Sequence, residues 1–308
     1  MFQFIARRFV SSLVALWIVI TVTFFLMHAI PGGPFAREKK IPEAILKNIE
    51  ARYRLDQPVW VQYLDYLKQV VTWDLGPSFK YEGRTVNQII REGFPVSAAL
   101  GAVSILIALL VAVPAGMVSA LKQNRWQDNV IMFFSVMGIA VPNYVVAAVL
   151  MYVIGYKLGW LPVAMWGTPR HVILPAITLA AAPTATIARL MRSSTLEALS
   201  QDYVKTARAK GLSSAAVLYR HVLKNAIIPV VSYLGPLIAA VFTGSFVVER
   251  IFAIPGLGRE YVYSIYNRDY TTIMGVTVFY AMLLLFMNFL VDVAYALLDP
   301  RIQYRKGA

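Results

Sequence analysis

DYVKTARAKGLSSAAVLYRHVLKNAIIPVV, residues 202–231, carries two short helical patterns joined at a glycine. Leu196, Leu199, Tyr203 and Ala207 recur at helical spacing, and Gly211 stops that helix because glycine tolerates a left-handed cap that other residues resist. Ser213 or Ser214 can cap a second helix from Ala215, whose apolar positions Val217, Leu218 and Val222 lead toward the next apolar segment. Ala207, Ala209 and Gly211 leave the bend with a small surface that another backbone or a groove can approach, and Lys205, Arg208 and Lys210 flank it. The pattern predicts a helical elbow. It reads either as a basic loop resting on anionic headgroups or as a docking knob for a soluble partner.

Outward from the elbow, the chain is dominated by uncharged apolar segments. Of 308 residues, 58% are hydrophobic and only 15% charged, and mean hydropathy is +0.61. A soluble domain carries roughly 45–50% apolar and about 25% charged residues, so this balance excludes an ordinary cytosolic enzyme. A crossing helix needs about 20 apolar residues, and segments 9–36, 93–121, 129–156, 225–248 and 270–291 satisfy that length. Segment 172–188 is shorter but can cross if Arg170 and Arg189 snorkel. Segment 9–36 exceeds a signal peptide's apolar region of about 7–15 residues, and Pro31-Gly32-Gly33 is a poor cleavage site, so it is expected to be retained. These segments predict an all-α polytopic membrane protein with six transmembrane helices.

The net charge of +13, with no cysteine to support disulfides or thiolate chemistry, resolves into topology. With both termini inside, 14 Lys/Arg lie on the inner side and 5 in the two short outer loops. The remaining 10 fall in the long loop after the first span, where charge has little orienting weight. The termini are therefore expected in the cytoplasm, and the basic composition calls for no nucleic-acid partner. The inner excess concentrates in the loop 189–224, around the elbow.

Outside, IPEAILKNIEARYRL places Ile41, Ile45, Ile49 and Tyr53 on one helical stripe, and VWVQYLDYLKQVV does so with Trp60, Tyr63, Leu64, Leu67 and Val71. These predict amphipathic helices, either packed on the protein's outer surface or docking an external partner. Asp292 is the one acid placed within a span, where pairing with inner basic groups or snorkelling is expected. Pro114, Pro142, Pro183, Pro229 and Pro236 are expected to kink their spans, the alternative being that some line a path. His28 and His171 are expected at interfaces, and His221 in a packing role.

The 202–231 sequence resembles the cytoplasmic signature of ATP-binding-cassette importer permeases in the form carried by the dipeptide and oligopeptide branch. That branch reads A-x-A-K-G followed by R-H-x-L-x-N-A-x-x-P-V. Ala207, Ala209, Lys210, Gly211, Arg220, His221, Leu223, Asn225, Ala226, Pro229 and Val230 stand at those places. The wider importer pattern has Glu-Ala-Ala before the glycine, whereas this chain has Lys205-Thr206-Ala207, and its Leu-Pro is Leu223-Lys224 here. The departure favours the peptide branch. ERIFAIPGLG, with Glu249, Pro255, Gly256 and Gly258, is similar to the branch's outer loop after the fifth helix. Asp292, Tyr295, Asp299, Pro300 and Arg301 are similar to its C-terminus, and residues 48–71 and 74–81 resemble the B permease subunit of oligopeptide importers.

The resemblance implies a type I importer permease fold in the bacterial cytoplasmic membrane. It divides into an N-terminal transmembrane helix (1–36), an extracytoplasmic loop with short helices (37–93) and a five-helix core (94–308). It implies a non-catalytic subunit holding no cofactor, while ATP and magnesium are used by two ATPase subunits. A homologous second permease completes the channel, and an extracytoplasmic peptide-binding protein delivers substrate. Asp202, Lys205, Thr206, Ala207, Arg208, Ala209, Lys210, Gly211, Leu212, Arg220 and His221 would form the ATPase-coupling elbow. Asn225, Pro229, Glu249, Pro255, Gly256, Gly258, Asp292, Asp299 and Pro300 would be structural, and the substrate path is left unassigned. In agreement, no G-x-x-x-x-G-K-[ST] phosphate loop occurs in the sequence. Oligopeptide is the expected cargo, with dipeptides, murein peptides, glutathione or nickel as alternatives within the branch. An ion-coupled secondary transporter would call for intramembrane acids and inverted repeats, and an intramembrane serine protease for a Ser and a His at matching depth. Neither pattern is found.

Overall fold

The computed structural model describes residues 2–31, 54–242 and 246–298, which are helical apart from turns and an isolated bridge between Pro77 and Thr85. The helices are α1 (Phe2–Ala29), α2 (Val59–Thr72), α3 (Val86–Leu121), α4 (Trp126–Ala140), α5 (Asn143–Leu150), α6 (Pro169–Ser200) and α7 (Asp202–Ala209). They continue as α8 (Ser214–Val217), α9 (Leu223–Ala226), α10 (Ile228–Phe242), α11 (Phe246–Ile251), α12 (Leu257–Asn267) and α13 (Tyr270–Leu298). Met151–Lys157 and Leu218–Val222 are π-helical. Among the described residues four helices are long and apolar enough to cross a membrane, and the bent pairs α4–α5 and α8–α10 bring the number to six if each pair is one span. The chain divides into two compact units, residues 1–95 with 256–308, and residues 96–255. The 94–308 segment expected as one core thus contributes to both.

In the first unit α1 lies along α13, with Phe9 and Phe289 edge to face at 6.2 Å and Arg8 Nε 3.2 Å from Asp292 Oδ2. Asp292 is therefore paired, with the inner-side Arg8 just before the first apolar segment rather than with an inner loop. Helix α2 sits where the second amphipathic stripe predicts it, but it is rotated from the expected face. Tyr66 and Val70 are buried and Tyr63 and Leu67 partly so, whereas Trp60, Leu64 and Val71 remain exposed. Its contacts explain the choice: Tyr63 Oη lies 2.7 Å from Thr21 Oγ1, and Gln62 Oε1 lies 3.1 Å from His28 Nε2, both on α1. The earlier stripe, with Ile41, Ile45, Ile49 and Tyr53, lies outside the described residues. Asp269, fully buried, caps α13. It accepts from the Thr272 hydroxyl at 2.8 Å, the Phe79 backbone N–H at 3.0 Å and the Ser78 hydroxyl, tying the 77–85 turn to the head of α13.

The second unit is built around α6. Thr168 precedes it, Pro169 occupies its first turn, where a missing N–H costs nothing, and His171 Nδ1 lies 2.8 Å from Thr168 Oγ1. Ala176, Ala180, Ala185 and Ala188 are buried on α6, so neighbouring backbones approach closely, as small residues permit between membrane helices. A Cβ at Gly116 of α3 would stand 2.5 Å from the Ala188 carbonyl oxygen, and one at Gly138 of α4 would stand 3.0 Å from that of Ala181. Pro114, Pro183 and Pro236 lie inside helices that continue through them. At Pro142 the outcome exceeds the expected kink, since α4 and the helix beginning at Asn143 diverge by 108°. Pro229 sits in the first turn of α10, just past a bend of 44°.

Candidate functional site

The basic loop after the fourth span is largely helix. Helix α6 runs unbroken through Arg189 and Arg192 to Ser200. At about 1.5 Å per residue its 32 residues extend roughly 48 Å, against about 30 Å of hydrocarbon, so it carries the chain well past the bilayer. Gln201 then turns extended (ψ 150°) and α7 begins, with the exposed Asp202 accepting from Lys205 Nζ at 2.8 Å.

The bend itself is a Schellman closure. Gly211 takes φ +78°, its N–H donates to the Arg208 carbonyl at 2.9 Å, and the Leu212 N–H reaches the Ala207 carbonyl at 3.4 Å. Ser213 then caps α8, its hydroxyl accepting from the Ala216 N–H at 3.3 Å, which selects Ser213 over Ser214. Val204 and Ala207 on α7, with Val217, Val222 and Ala226 beyond the bend, bury the elbow's inner face in the core of its unit. The outer face presents Arg208, Ala209, Lys210, Gly211 and Leu212, all exposed, beside Lys205 and Thr206. Beyond its two chain neighbours, no described residue lies within 4 Å of the position a Gly211 Cβ would take. Of the three small residues expected at the surface, Ala207 instead packs inward. Arg220 is exposed and His221 half-buried on the π-helical turn, where the Asn225 amide donates to the His221 carbonyl at 3.0 Å.

The helix that carries the elbow is anchored by an ion pair. Arg192 of α6 forks onto Asp128 of α4, Nε to Oδ1 and Nη2 to Oδ2, both at 2.7 Å. Asp128 is buried and also accepts from the Ser119 hydroxyl on α3 and, at 3.0 Å, from the Asn124 N–H. A bidentate guanidinium and further donors are what a buried carboxylate needs to remain charged. In the sequence, Asp128 and Arg192 register only as inner-side charges. The pairing partners are 64 residues apart, and the one local signal is an acid in the first turn of a helix.

Elsewhere, Glu249 is fully buried and accepts from Ser97 Oγ at 2.8 Å. Pro255 is exposed, Gly256 precedes α12, and Gly256 and Gly258 are buried. A Cβ at Gly93 would meet Leu257 Cα at 2.9 Å, so α3 comes close to the backbone at Leu257, between the two glycines. Asp299 and Pro300 lie outside the described residues.

The sequence matches the family described as binding-protein-dependent transport system inner membrane component over residues 112–304, and that family's N-terminal membrane component over residues 1–101. The chain belongs to this family of inner-membrane permeases. Among relatives of these permeases, the dipeptide transport system permease protein DppB of Bacillus subtilis (strain 168) is 46% identical over 99% of each chain. The oligopeptide transport system permease protein OppB of Salmonella typhimurium (strain LT2) is 44% identical over 99% of this chain and 100% of its own length. In fold, the chain is similar to a protein in the inward-facing MetNI methionine ABC transporter structure, at TM-score 0.57 and 16% identity over 69% of this chain and 97% of that one. It is also similar to an amino acid ABC transporter solved with histidines, at TM-score 0.52 and 18% identity over 67% and 92%.

Proposed function

We propose that the chain is one half of the translocation pathway of an ATP-driven peptide importer in which the 202–213 elbow docks into an ATPase subunit. The observation that carries this is the elbow's outer face. It is small and basic around Gly211, supported from within by Val204 and Ala207, and held beyond the apolar spans by α6. A second permease, two ATPases and a peptide-binding protein are the partners this reading requires, and ATP hydrolysis belongs to the ATPases. The inner-side charge excess puts the elbow and both termini in the cytoplasm.

Peptides are the proposed cargo because the relatives of nearly full coverage are named for dipeptide and oligopeptide transport. Oligopeptide is the first reading, on the outer-loop resemblance, and dipeptide the second, since identities of 46% and 44% do not separate them. Competition uptake of labelled di-, tri- and pentapeptides in cells lacking this chain and any redundant system tests it. Loss of pentapeptide uptake, restored by the chain, is expected. Unchanged pentapeptide uptake with lost dipeptide uptake would replace the first reading by the second, and unchanged uptake of both would overturn the function.

A further inference from the structure

In the second unit a cavity of about 410 Å3 opens where α5 begins, walled by Asn143, Tyr144, Leu179, Pro183, Val241 and Phe246 among others. It lies beside the 108° break between α4 and α5, which falls in the middle of the apolar segment 129–156. A break there exposes peptide groups that a continuous helix would satisfy. The first N–H groups of α5 to find a carbonyl are those of Val145 and Val146, which reach Pro142 at 2.9 and 3.2 Å. Those of Asn143 and Tyr144 precede them. Across the cavity, Pro183 has no N–H, so the Leu179 carbonyl lacks its helical donor. The Asn143 side-chain amide makes no hydrogen bond to another described residue. Hydrocarbon cannot satisfy such groups, and irregular backbone at membrane depth persists only when buried in protein or lining a water-filled cavity. Within this chain the break is not buried, for Pro142 is exposed and Tyr144 is 57% exposed.

We infer that this cavity is a station on the peptide's route through the membrane. The Asn143 amide and the freed backbone groups of α5 and α6 hydrogen-bond the main chain of an extended peptide. Leu179, Val241 and Phe246 offer its side chains an apolar wall without chemical preference. No acidic or basic side chain lines the cavity among the described residues, so binding reads the peptide's main chain rather than its charge. The inference rests on the peptide-import reading.

The chain contains no cysteine, so single thiols can be read without background. Asn143→Cys, Tyr144→Cys and, at a further residue of the cavity wall, Val247→Cys would each be assembled with the partner subunits in nanodiscs, open to water on both faces, and treated with a charged methanethiosulfonate. Labelling is read on this chain after separation, with Val14→Cys on the exposed apolar α1 as reference. Uptake of a labelled pentapeptide by the cysteine-free complex and by each variant, reconstituted in sealed vesicles, is measured first. The cavity thiols should react about tenfold or more faster than the reference, as water-accessible groups do and lipid-immersed ones do not. Saturating unlabelled pentapeptide should slow them severalfold. Slow labelling at all three positions, with and without ATP, would mean that the break is buried against a partner, and fast labelling indifferent to peptide would mean a wet cavity without cargo. Either result, from a complex that transports, overturns this inference alone, whereas a complex that fails to transport peptide contradicts the function itself.

Discussion

Gly211 meets no other described residue where a side chain would grow, its chain neighbours aside, yet its φ of +78° lies in the region that β-branched residues avoid. Substitution there strains the backbone by about 1–3 kcal/mol, least for asparagine, and places new atoms on the outer face only. Gly211→Asn is therefore expected to keep membrane abundance and most of the uptake. Gly211→Val should keep abundance but lose uptake, as read by immunoblot beside a transport assay. Asp128 behaves differently because its loss strands a guanidinium. Removing one partner of a buried pair costs about 3–5 kcal/mol, and the cost at Asp128→Leu falls toward the low end because the Arg192 side chain keeps 24% exposure. A thermal melt of the purified complex should register it as a lower midpoint, with Arg192→Met giving a larger drop because the Asp128 side chain it strands keeps only 3% exposure. The two sites differ in legibility for a physical reason. A glycine followed two residues later by a capping serine is a short-range signal that any chain would honour. The 128–192 pairing exists only once three helices have come together, and the inward packing of Ala207 likewise depends on a core that no local pattern reveals.

Helix α6 extends well beyond the apolar segment 172–188 that announces it. Hydropathy falls at the first arginine and ends the apolar segment there, while the helix continues to Ser200 with Arg192 neutralised by α4. Its close packing gives a graded prediction. Gly116→Ala drives a methyl to 2.5 Å from the Ala188 carbonyl and 2.6 Å from Met191 Cβ, and Gly138→Ala to 3.0 Å from its nearest neighbours. Overpacking costs about 1–3 kcal/mol, so Gly116→Ala should lower the thermal midpoint and membrane abundance clearly, and Gly138→Ala less. Equal or reversed effects would mean that α3 and α4 do not approach α6 as described. Prolines illustrate what local sequence leaves open. Pro183 is absorbed in a continuous helix packed on several sides, and Pro142, preceded by an extended Val141, separates two helices. The second amphipathic stripe predicts α2 but not its buried face, since both faces carry apolar residues and the polar links from Tyr63 and Gln62 to α1 select between them.

At the scale of the whole molecule, the six apolar segments and their charge asymmetry make the membrane class and expected orientation legible from the sequence alone. Less legible is the division of the helices, in which residues 256–308 group with the N-terminal 95 rather than with the segment preceding them. Such grouping depends on contacts such as α1 with α13, which are remote in sequence. The spans carry almost no ionisable groups, and near their ends stand four carboxylates, Asp128, Glu249, Asp269 and Asp292, each with a partner in hand. None of the four stands alone at membrane depth as an ion-coupled carrier would require. On the proposed reading, ATP drives transport through the elbow, with no ion gradient involved. The direct test is uptake of a labelled pentapeptide into right-side-out vesicles carrying the assembled complex, with ATP enclosed and a protonophore present. Robust ATP-dependent uptake that disappears in Gly211→Val at unchanged abundance is the predicted result. Uptake abolished by the protonophore while ATP remains, or undiminished in Gly211→Val, would contradict it.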